Sequence, residues 1–398
     1  MSVKSSVIEE GRGPLIQPLP FSDAEYADRL TRVRGAMESI GLDAFVSFTP
    51  ENIYYVTGHD TPGYYFYQAC VITATQPPVN VLRGIEAFNT LGASWARRAV
   101  PYGDTADPVN TTLKLLAELG VSSGRVGAEE DAWFVSPRRY AQLGQGIAAA
   151  GGTLVGTSRI VEDLRMVKSA QELDYIRQSA HAVARGMQAA ISASHVGGNE
   201  NEVAAAAVGA LILAGSEYPG LPPFITSGPR SSMVHTTWSG RVFEPGDVLY
   251  YELPAITKRY CAALLRCGTA GEPPPGFLSH YEMVRECLEN VIDAIRPGRT
   301  VADVHKVTRE TFTKHGYGHL QAHRTGYSVG VNYPPDWGEG QIVSIWDADT
   351  TLQPGMTFHL IPGFFELGKY AVTVSETVAV TSSGCETLTQ FPREPFVA

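Results

Sequence analysis

The chain has few cysteines and no long apolar run, and each of these absences excludes a class of protein. Its five cysteines are scattered over 398 residues without C-x-x-C spacing, which argues against a disulfide framework and a thiolate metal site. No stretch has the roughly 20 apolar residues of a membrane-spanning helix. The N-terminal sequence MSVKSSVIEEGRGPL lacks the apolar segment of a signal peptide. We therefore expect a soluble, cytoplasmic protein without a membrane partner.

Clusters of basic residues are also absent. The chain has 31 Lys and Arg against 41 Asp and Glu, a net charge of −10, and no Lys/Arg run. A nucleic-acid partner is therefore not expected. The composition, 44% hydrophobic and 18% charged, is that of a globular protein with a sizeable core. A small-molecule partner is the better expectation.

The order of periodic segments predicts two domains. Ser22 opens a capped amphipathic helix, and short β-rich runs then alternate with helical stretches to about residue 160, a pattern typical of an α/β layer. Ser169 and Glu172 have capping-box spacing at the start of a long helix. We predict an α+β protein with domains at 1–162 and 163–398. Strands of the second domain are expected around 233–237, 247–254, 259–267, 323–332, 356–363 and 370–380.

Several motifs resemble the creatinase, prolidase and methionine aminopeptidase (pita-bread) superfamily. LRMVKSAQELDYIR resembles the domain junction of creatinase and prolidase relatives, and LQPGMTFHLIPG and VAVTSSGCETLT resemble the closing strands of the pita-bread core. HRTGYSVGVNYPPDWGE and ELPAITKRYC are similar to the metal-free ectoine hydrolases. The resemblance covers nearly the whole chain. It implies a creatinase-type N-terminal α/β domain, a C-terminal pita-bread catalytic domain and a homodimer.

The resemblance also locates the five metal-binding positions of that superfamily, and only one of them keeps a carboxylate. The five positions read Glu252, Ala263, Tyr327, Ile361 and Ser375. A hard or borderline dication needs several oxygen or imidazole ligands, which this set does not supply. We therefore expect neither a metal nor another cofactor, and a metal-dependent aminopeptidase or prolidase is disfavoured.

The resemblance to ectoine hydrolases implies that the protein opens a cyclic amidine ring to N-acetyl-diaminobutyrate products. Such a reaction needs attack on carbon, proton delivery to the departing nitrogen and electrostatic support. Glu252 is predicted to be the nucleophile or the general base, and both routes remain open. His235 falls on the superfamily's non-liganding active-site histidine and is predicted to move the proton. The substrate expected is a small zwitterion.

Further residues are predicted to contact the substrate, each with a structural alternative. They are Tyr65, Tyr67, His323, Tyr327, Asp336, His359 and Glu376. The tyrosines at 65 and 67 belong to an aromatic run that suits cation–π contact with an amidinium but could be domain core. Tyr327 could be filler, and the histidines could be core residues bonded to backbone. Asp336 could be a turn residue after two prolines. Strand alternation would turn Glu376 away from the site.

Two other functions fit the same residues. One is metal-free hydrolysis of another small cyclic or guanidino compound, and the other is non-catalytic binding on a degenerate pita-bread fold. Creatine itself is disfavoured, because the core glutamates of creatinases fall on Leu265 and Ile361. Retention of both Glu252 and His235 favours an enzyme, which their convergence on one pocket would support. Arg266 matches a common superfamily arginine and is expected to be structural.

Overall fold

The structure is a computed structural model that describes residues 7–9, 15–321, 323–339, 342–346 and 348–398. The chain divides into one unit ending at Arg165 and another beginning at Met166. The boundary predicted from the sequence lies three residues earlier. Within the described ranges, no helix combines the length and the apolar character needed to cross a membrane.

The N-terminal unit is a mixed sheet with helices. Its strands are β1 (Ile8–Glu9), β2 (Ala44–Ser47), β3 (Ala69–Thr73), β4 (Val79–Arg83), β5 (Arg98–Tyr102), β6 (Arg125–Ala128) and β7 (Thr153–Gly156). Its helices are α1 (Asp23–Ser39), α2 (Pro50–Thr57), α3 (Ala87–Ala93), α4 (Pro108–Glu118), α5 (Pro137–Ala149) and α6 (Glu162–Arg165). In the described part of the chain the strand order is β1-β5-β4-β3-β2-β6-β7. Strands β2, β3 and β4 pair antiparallel, whereas β6 is parallel to both of its neighbours.

Helix α1 shows how the sequence forms these elements. The Ser22 hydroxyl accepts a hydrogen bond from the backbone N–H of Glu25 at 3.2 Å, as predicted for a capping residue. The buried residues Leu30, Val33 and Met37 recur at intervals of three and four, so they form one apolar stripe. That stripe packs in a core with residues of the sheet.

The aromatic run of the N-terminal unit contains one core residue and one surface residue. Tyr67 is only 3% exposed and lies in the main core of the unit. Its hydroxyl shares a 2.8 Å hydrogen bond with Thr112, and its carbonyl accepts one from Tyr102 at 2.6 Å. Tyr67 therefore has a structural role in the unit, because its ring and its hydroxyl both contact neighbours there, and its substrate contact stays a prediction. Tyr65 is 75% exposed, and its substrate contact stays a prediction.

In its described residues, the C-terminal unit combines four long helices with three sheets. The helices are α7 (Ala170–Ser192), α8 (Glu200–Leu213), α9 (Phe277–Ala294) and α10 (Val301–Lys314). The strands are β8 (Phe224–Ser227), β9 (Val248–Thr257), β10 (Tyr260–Thr269), β11 (Gly326–Ser328), β12 (Ser344–Ile345), β13 (Thr357–Leu360), β14 (Gly363–Glu366), β15 (Tyr370–Thr373), β16 (Glu376–Val380), β17 (Cys385–Thr387) and β18 (Phe396–Val397). Over the described ranges they form sheets ordered β18-β10-β9-β8, β12-β11-β13-β16-β17 and β14-β15.

Strand β9 separates two apolar cores. One face, with Leu249, Tyr251 and Leu253, packs in a core with α7 and α8. The other face, with Tyr250 and Ile256, packs in a core that includes α9, α10 and the five-stranded sheet. Side chains alternate along a strand, so every second residue of β9 faces this second core.

Two local predictions have opposite outcomes. The capping box that opens α7 is confirmed, because the Ser169 hydroxyl accepts from the Glu172 N–H and the Glu172 carboxylate accepts from the Ser169 N–H. The strand expected around 233–237 is wrong. A short 3₁₀ helix over Gly228–Ser232 leads into a turn in which His235 has a φ of 57°. This left-handed backbone conformation is incompatible with a continuous strand.

The two tyrosines of the N-terminal unit should respond differently to truncation. Tyr67→Ala removes a buried ring and should lower the free energy of unfolding by about 3–5 kcal/mol. Tyr65→Ala, at an exposed position, should change it by less than about 0.5 kcal/mol. Urea unfolding of both variants measures the difference. Equal losses would show that Tyr65 is also a packing residue in solution.

Candidate active site

Glu252 lies on the face of β9 that points into the second, largely apolar core. It is two residues from Tyr250 and therefore on the same face. Its cross-strand partners are Leu265 on β10 and Phe224 on β8, and both belong to that core. A glutamate is thus placed where the neighbouring positions on either side are apolar.

The Glu252 carboxyl is buried without a compensating partner. The residue is 5% exposed, and within the described residues no donor lies at hydrogen-bonding distance from its carboxyl oxygens. Burial raises the pKa of Glu252 to about 8, and the positive charge of Arg324 opposes this only partly. The carboxyl is therefore mostly neutral at pH 7 in the free protein. An unpaired acid in such a place is typical of functional sites.

A chain of hydrogen bonds runs beside Glu252. The Leu265 N–H donates to the Ser375 hydroxyl at 2.7 Å, and that hydroxyl lies 2.7 Å from Nε2 of His359. Nδ1 of His359 lies 2.9 Å from the Tyr327 hydroxyl, which also accepts from the Trp337 indole N–H at 2.7 Å. Tyr327 and His359 meet because they are direct cross-strand partners on β11 and β13.

This hydrogen-bond chain contains two of the five positions that the superfamily resemblance assigned to metal ligands. Tyr327 and Ser375 have hydroxyls that already bond to neighbours, and Ala263 and Ile361 have no ligand atoms in their side chains. Among the described residues, no group of three or more His, Cys, Asp and Glu forms a possible metal site. The donor set around Glu252 therefore does not fit a divalent ion.

The histidines near Glu252 differ in their surroundings. His359 is fully buried, and burial lowers its pKa to about 3. Burial also lowers the pKa of His323 to about 4, and its buried Nδ1 has no hydrogen-bond partner among the described residues. His235 is exposed, and its ring packs at 5.4 Å on Phe224, the cross-strand neighbour of Glu252. His235 also lies close enough to His323 to affect its pKa electrostatically.

Arg324 is a site residue that the sequence interpretation did not single out. Its guanidinium lies 4.4 Å from the centre of the Tyr327 ring, and its charge affects the pKa values of Glu252, His323 and His359. A zwitterionic ligand needs a cation for its carboxylate as well as an anion for its positive ring. That requirement was a signal for Arg324, which sits beside His323 in the HRTGYSVG segment.

Two residues predicted to contact substrate have polar atoms with structural partners, and their substrate contact stays a prediction. The Glu376 carboxylate is buried, pairs with Arg266 at 2.8 Å and with Arg393 at 2.9 Å, and accepts a bond from Thr389. Asp336 accepts bonds from the backbone N–H of Trp337 at 2.7 Å and of Gly338 at 3.2 Å, which makes it a turn residue.

Comparison with known families agrees with this architecture. Residues 174–382 match metallopeptidase family M24, and residues 29–167 match the creatinase/prolidase N-terminal domain. The chain belongs to metallopeptidase family M24. This M24 protein has the two-domain creatinase-like architecture, with the candidate site in the M24 domain.

Individual relatives give the same assignment. The M24 chain is 30% identical over 397 residues to an ectoine hydrolase of Halomonas elongata, covering 95% of this chain and 98% of the relative. Its fold matches a dipeptidase PepE from Mycobacterium ulcerans with a TM-score of 0.81 at 24% identity, covering 95% and 99% of the two chains. It matches an Xaa-Pro dipeptidase from Bacillus anthracis with a TM-score of 0.80 at 23% identity, covering 94% and 100%. These two structural matches establish the fold.

The burial of Glu252 predicts a pH-dependent effect on stability. Its pKa is raised from 4.5 to about 8 on folding, so the native protein keeps a proton that the unfolded chain loses in this interval. The stability that this proton confers is complete below about pH 4.5 and is lost as the pH rises to about 8. Glu252→Gln should therefore gain stability over the wild type by a few kcal/mol at pH 9, and by much less at pH 5.

Urea unfolding at the two pH values measures this difference, with Glu310→Gln on the exposed face of α10 as the control. The control should show the same stability relative to wild type at both pH values. A pH-independent effect of Glu252→Gln would mean that the carboxyl is solvated or paired in solution.

Proposed function

We propose that the protein is a metal-independent hydrolase that opens a C–N bond of a small cyclic amidine amino acid of the ectoine type. Glu252 is the nucleophile or general base, and His235 is the proton shuttle. The observation that supports this most strongly is the buried Glu252 carboxyl, which has no partner among the described residues and a pKa of about 8. The similarity to the ectoine hydrolase of Halomonas elongata supports the same substrate class.

The unpaired carboxyl selects for a cationic ligand. An amidinium placed beside Glu252 supplies the missing opposite charge, and in a low-dielectric site this lowers the pKa of the carboxyl. Glu252 then becomes ionised when the substrate arrives. A neutral lactam or an ordinary peptide bond offers no such charge. The site is therefore better suited to a cyclic amidine or a guanidino compound than to a peptide.

Arg324 and His323 suit the other end of the same ligand. The Arg324 guanidinium has the donor geometry for a carboxylate, and it lies against the Tyr327 ring at 4.4 Å. The buried Nδ1 of His323 offers an additional polar contact. A small zwitterion bound between Glu252 and Arg324 would have both of its charges paired.

The reaction adds one water across the C–N bond. Either ionised Glu252 attacks the amidinium carbon and a water later cleaves that ester-like bond, or Glu252 removes a proton from a water that attacks directly. In both routes the oxygen of water remains on the carbon, and the departing ring nitrogen gains a proton. His235 is the proposed donor of that proton, because its ring lies on Phe224 beside Glu252.

The rival functions remain open as outcomes of the same experiments. A metal-dependent peptidase would need ligands that the positions around Glu252 lack. A hydrolase for another cyclic or guanidino compound would pair the charges of its ligand in the same way and differ only in the residues that line the pocket. The homodimer expected from the family resemblance stays a prediction.

Turnover of ectoine-type amidines should survive removal of metal. Protein dialysed against EDTA should hydrolyse ectoine or hydroxyectoine to an acyclic product with one added water, measured by mass spectrometry, while creatine and small lactams serve as comparison substrates. Added Mn²⁺ or Co²⁺ should leave the rate unchanged. Activity that disappears with chelation and returns with metal, above all on a proline dipeptide, would overturn the metal-independent proposal.

Glu252→Gln should abolish turnover while ligand binding survives. We expect kcat to fall by about 10⁴-fold or more, as for other catalytic nucleophiles and bases. In the wild type, kcat/KM should rise with pH up to about 8, because the free protein must lose the Glu252 proton. Glu310→Gln is the matched control and should behave as the wild type. Near-normal turnover of Glu252→Gln would place the chemistry elsewhere, and binding without turnover in the wild type would indicate a binding module.

A further inference from the structure

The hydrogen-bond chain beside Glu252 has donors at both of its ends. At one end the Leu265 N–H points at Ser375, and at the other the Trp337 indole N–H points at Tyr327. Neither group can accept a bond through that atom, so both hydrogens point inward. The middle of the chain holds two hydroxyls and the imidazole of His359, which is neutral because burial lowers its pKa to about 3.

A count of hydrogens shows that one of them is left over. Leu265, Ser375, His359, Tyr327 and Trp337 each bring one hydrogen, whereas the chain contains only four contacts. Each contact uses one hydrogen. Because both end hydrogens are committed, the surplus one sits on a hydroxyl, either that of Ser375 or that of Tyr327. The protonated nitrogen of His359 decides between them.

The two possible arrangements differ in where the surplus hydrogen lies. If His359 carries its proton on Nε2, it donates to Ser375 and accepts from Tyr327. The hydroxyl hydrogen of Ser375 then has no acceptor in the hydrogen-bond chain. Neither hydroxyl has another acceptor among the described residues, but Ser375 is fully buried whereas Tyr327 keeps 5% exposure, so a bound ligand can satisfy only the Tyr327 O–H. If His359 carries its proton on Nδ1, Ser375 donates to Nε2 and the Tyr327 O–H is left over.

Tyr327 lies in the same core as the two cross-strand partners of Glu252. The chain begins at Leu265 and ends at Trp337, whose ring packs at 4.7 Å on Phe224. Leu265 and Phe224 are the two cross-strand partners of Glu252, so the chain brackets that residue. Burial and the Glu252 charge raise the pKa of Tyr327 well above its ordinary value, which keeps the phenol protonated.

We propose that Tyr327 is a further catalytic residue, whose hydroxyl donates a hydrogen bond to the oxygen that is added to the ring carbon. His359 and Ser375 are positioning residues, because they hold that O–H toward the site. The phenol stays protonated throughout, so the step transfers no proton and requires no co-reactant. The identity of the acceptor rests on the proposed function, whereas the direction of the O–H does not.

The tautomer of His359 tests the direction of the O–H without any substrate. In the full-length protein with ¹⁵N-labelled histidine, NMR distinguishes the protonated ring nitrogen from the bare one. The His359 signals are those lost in His359→Gln, or, if that variant does not fold, the non-titrating pair that moves in Ser375→Ala. We expect a proton on Nδ1 and none on Nε2. A proton on Nε2 would overturn the inference, because Nδ1 of His359 would then accept the hydrogen bond from the Tyr327 O–H.

Kinetics test the catalytic role. Tyr327→Phe should lower kcat by about 10²-fold with little change in KM, as found for the loss of one preorganised donor to a developing charge. Ser375→Ala should lower kcat by less, and Ser375→Thr, which keeps the hydroxyl, should restore it.

Tyr251→Phe is the matched control. It removes a buried hydroxyl that shares a 2.8 Å hydrogen bond with Ser194 on the opposite face of β9, so kcat should be unchanged. A kcat for Tyr327→Phe within about threefold of wild type would overturn the catalytic role. If the wild type turned over no amidine, the proposed function would fail, and the NMR result would still decide the direction of the O–H.

Discussion

The cost of burying one carboxyl shapes the whole C-terminal site. Glu252 faces an apolar core with Leu265 and Phe224 on either side, and no donor among the described residues stabilises its charge. A buried unpaired charge is unfavourable by several kcal/mol, so the free protein keeps the group neutral at pH 7. A ligand that brings a positive charge removes this penalty. The same electrostatic interaction therefore selects the cationic ligand and ionises Glu252.

The polar groups next to Glu252 form a hydrogen-bond chain. Tyr327 and Ser375 are two of the positions that the superfamily resemblance assigned to metal ligands, and His359 links them at 2.9 and 2.7 Å. Buried polar networks stabilise a single arrangement only when their members are satisfied. Here Leu265 and Trp337 both donate into the hydrogen-bond chain, which therefore has one hydrogen more than it has hydrogen bonds. Every polar group is paired only when an atom in the site accepts this last hydrogen. The hydrogen-bond chain therefore stabilises an acceptor oxygen that lies near Glu252.

Sequence motifs assigned Glu252 and Tyr327 to the candidate site, whereas the positions of the surrounding residues depend on tertiary contacts. The resemblance located Glu252 and Tyr327, and the two-domain architecture is confirmed by the family matches. The turn at His235 was missed because a residue with positive φ looks the same in sequence as a strand residue. Arg324 was missed because nothing local shows which arginine reaches a site. The role of Tyr67 could not be predicted, because aromatic runs at pockets and in cores have the same composition.

Two buried glutamates of the C-terminal unit, Glu252 and Glu376, show that the position of an acid on its strand decides whether it has a structural or a functional role. Glu376 follows Ser375 directly, so alternation directs its side chain away from the hydrogen-bond chain and toward Arg266 and Arg393. Its carboxylate has three donors, and such a fully paired ion contributes to one defined packing. Glu252 has none among the described residues. The fold therefore holds one acid between two arginines and a threonine hydroxyl, and leaves the other with a raised pKa and a charge state that a ligand can change.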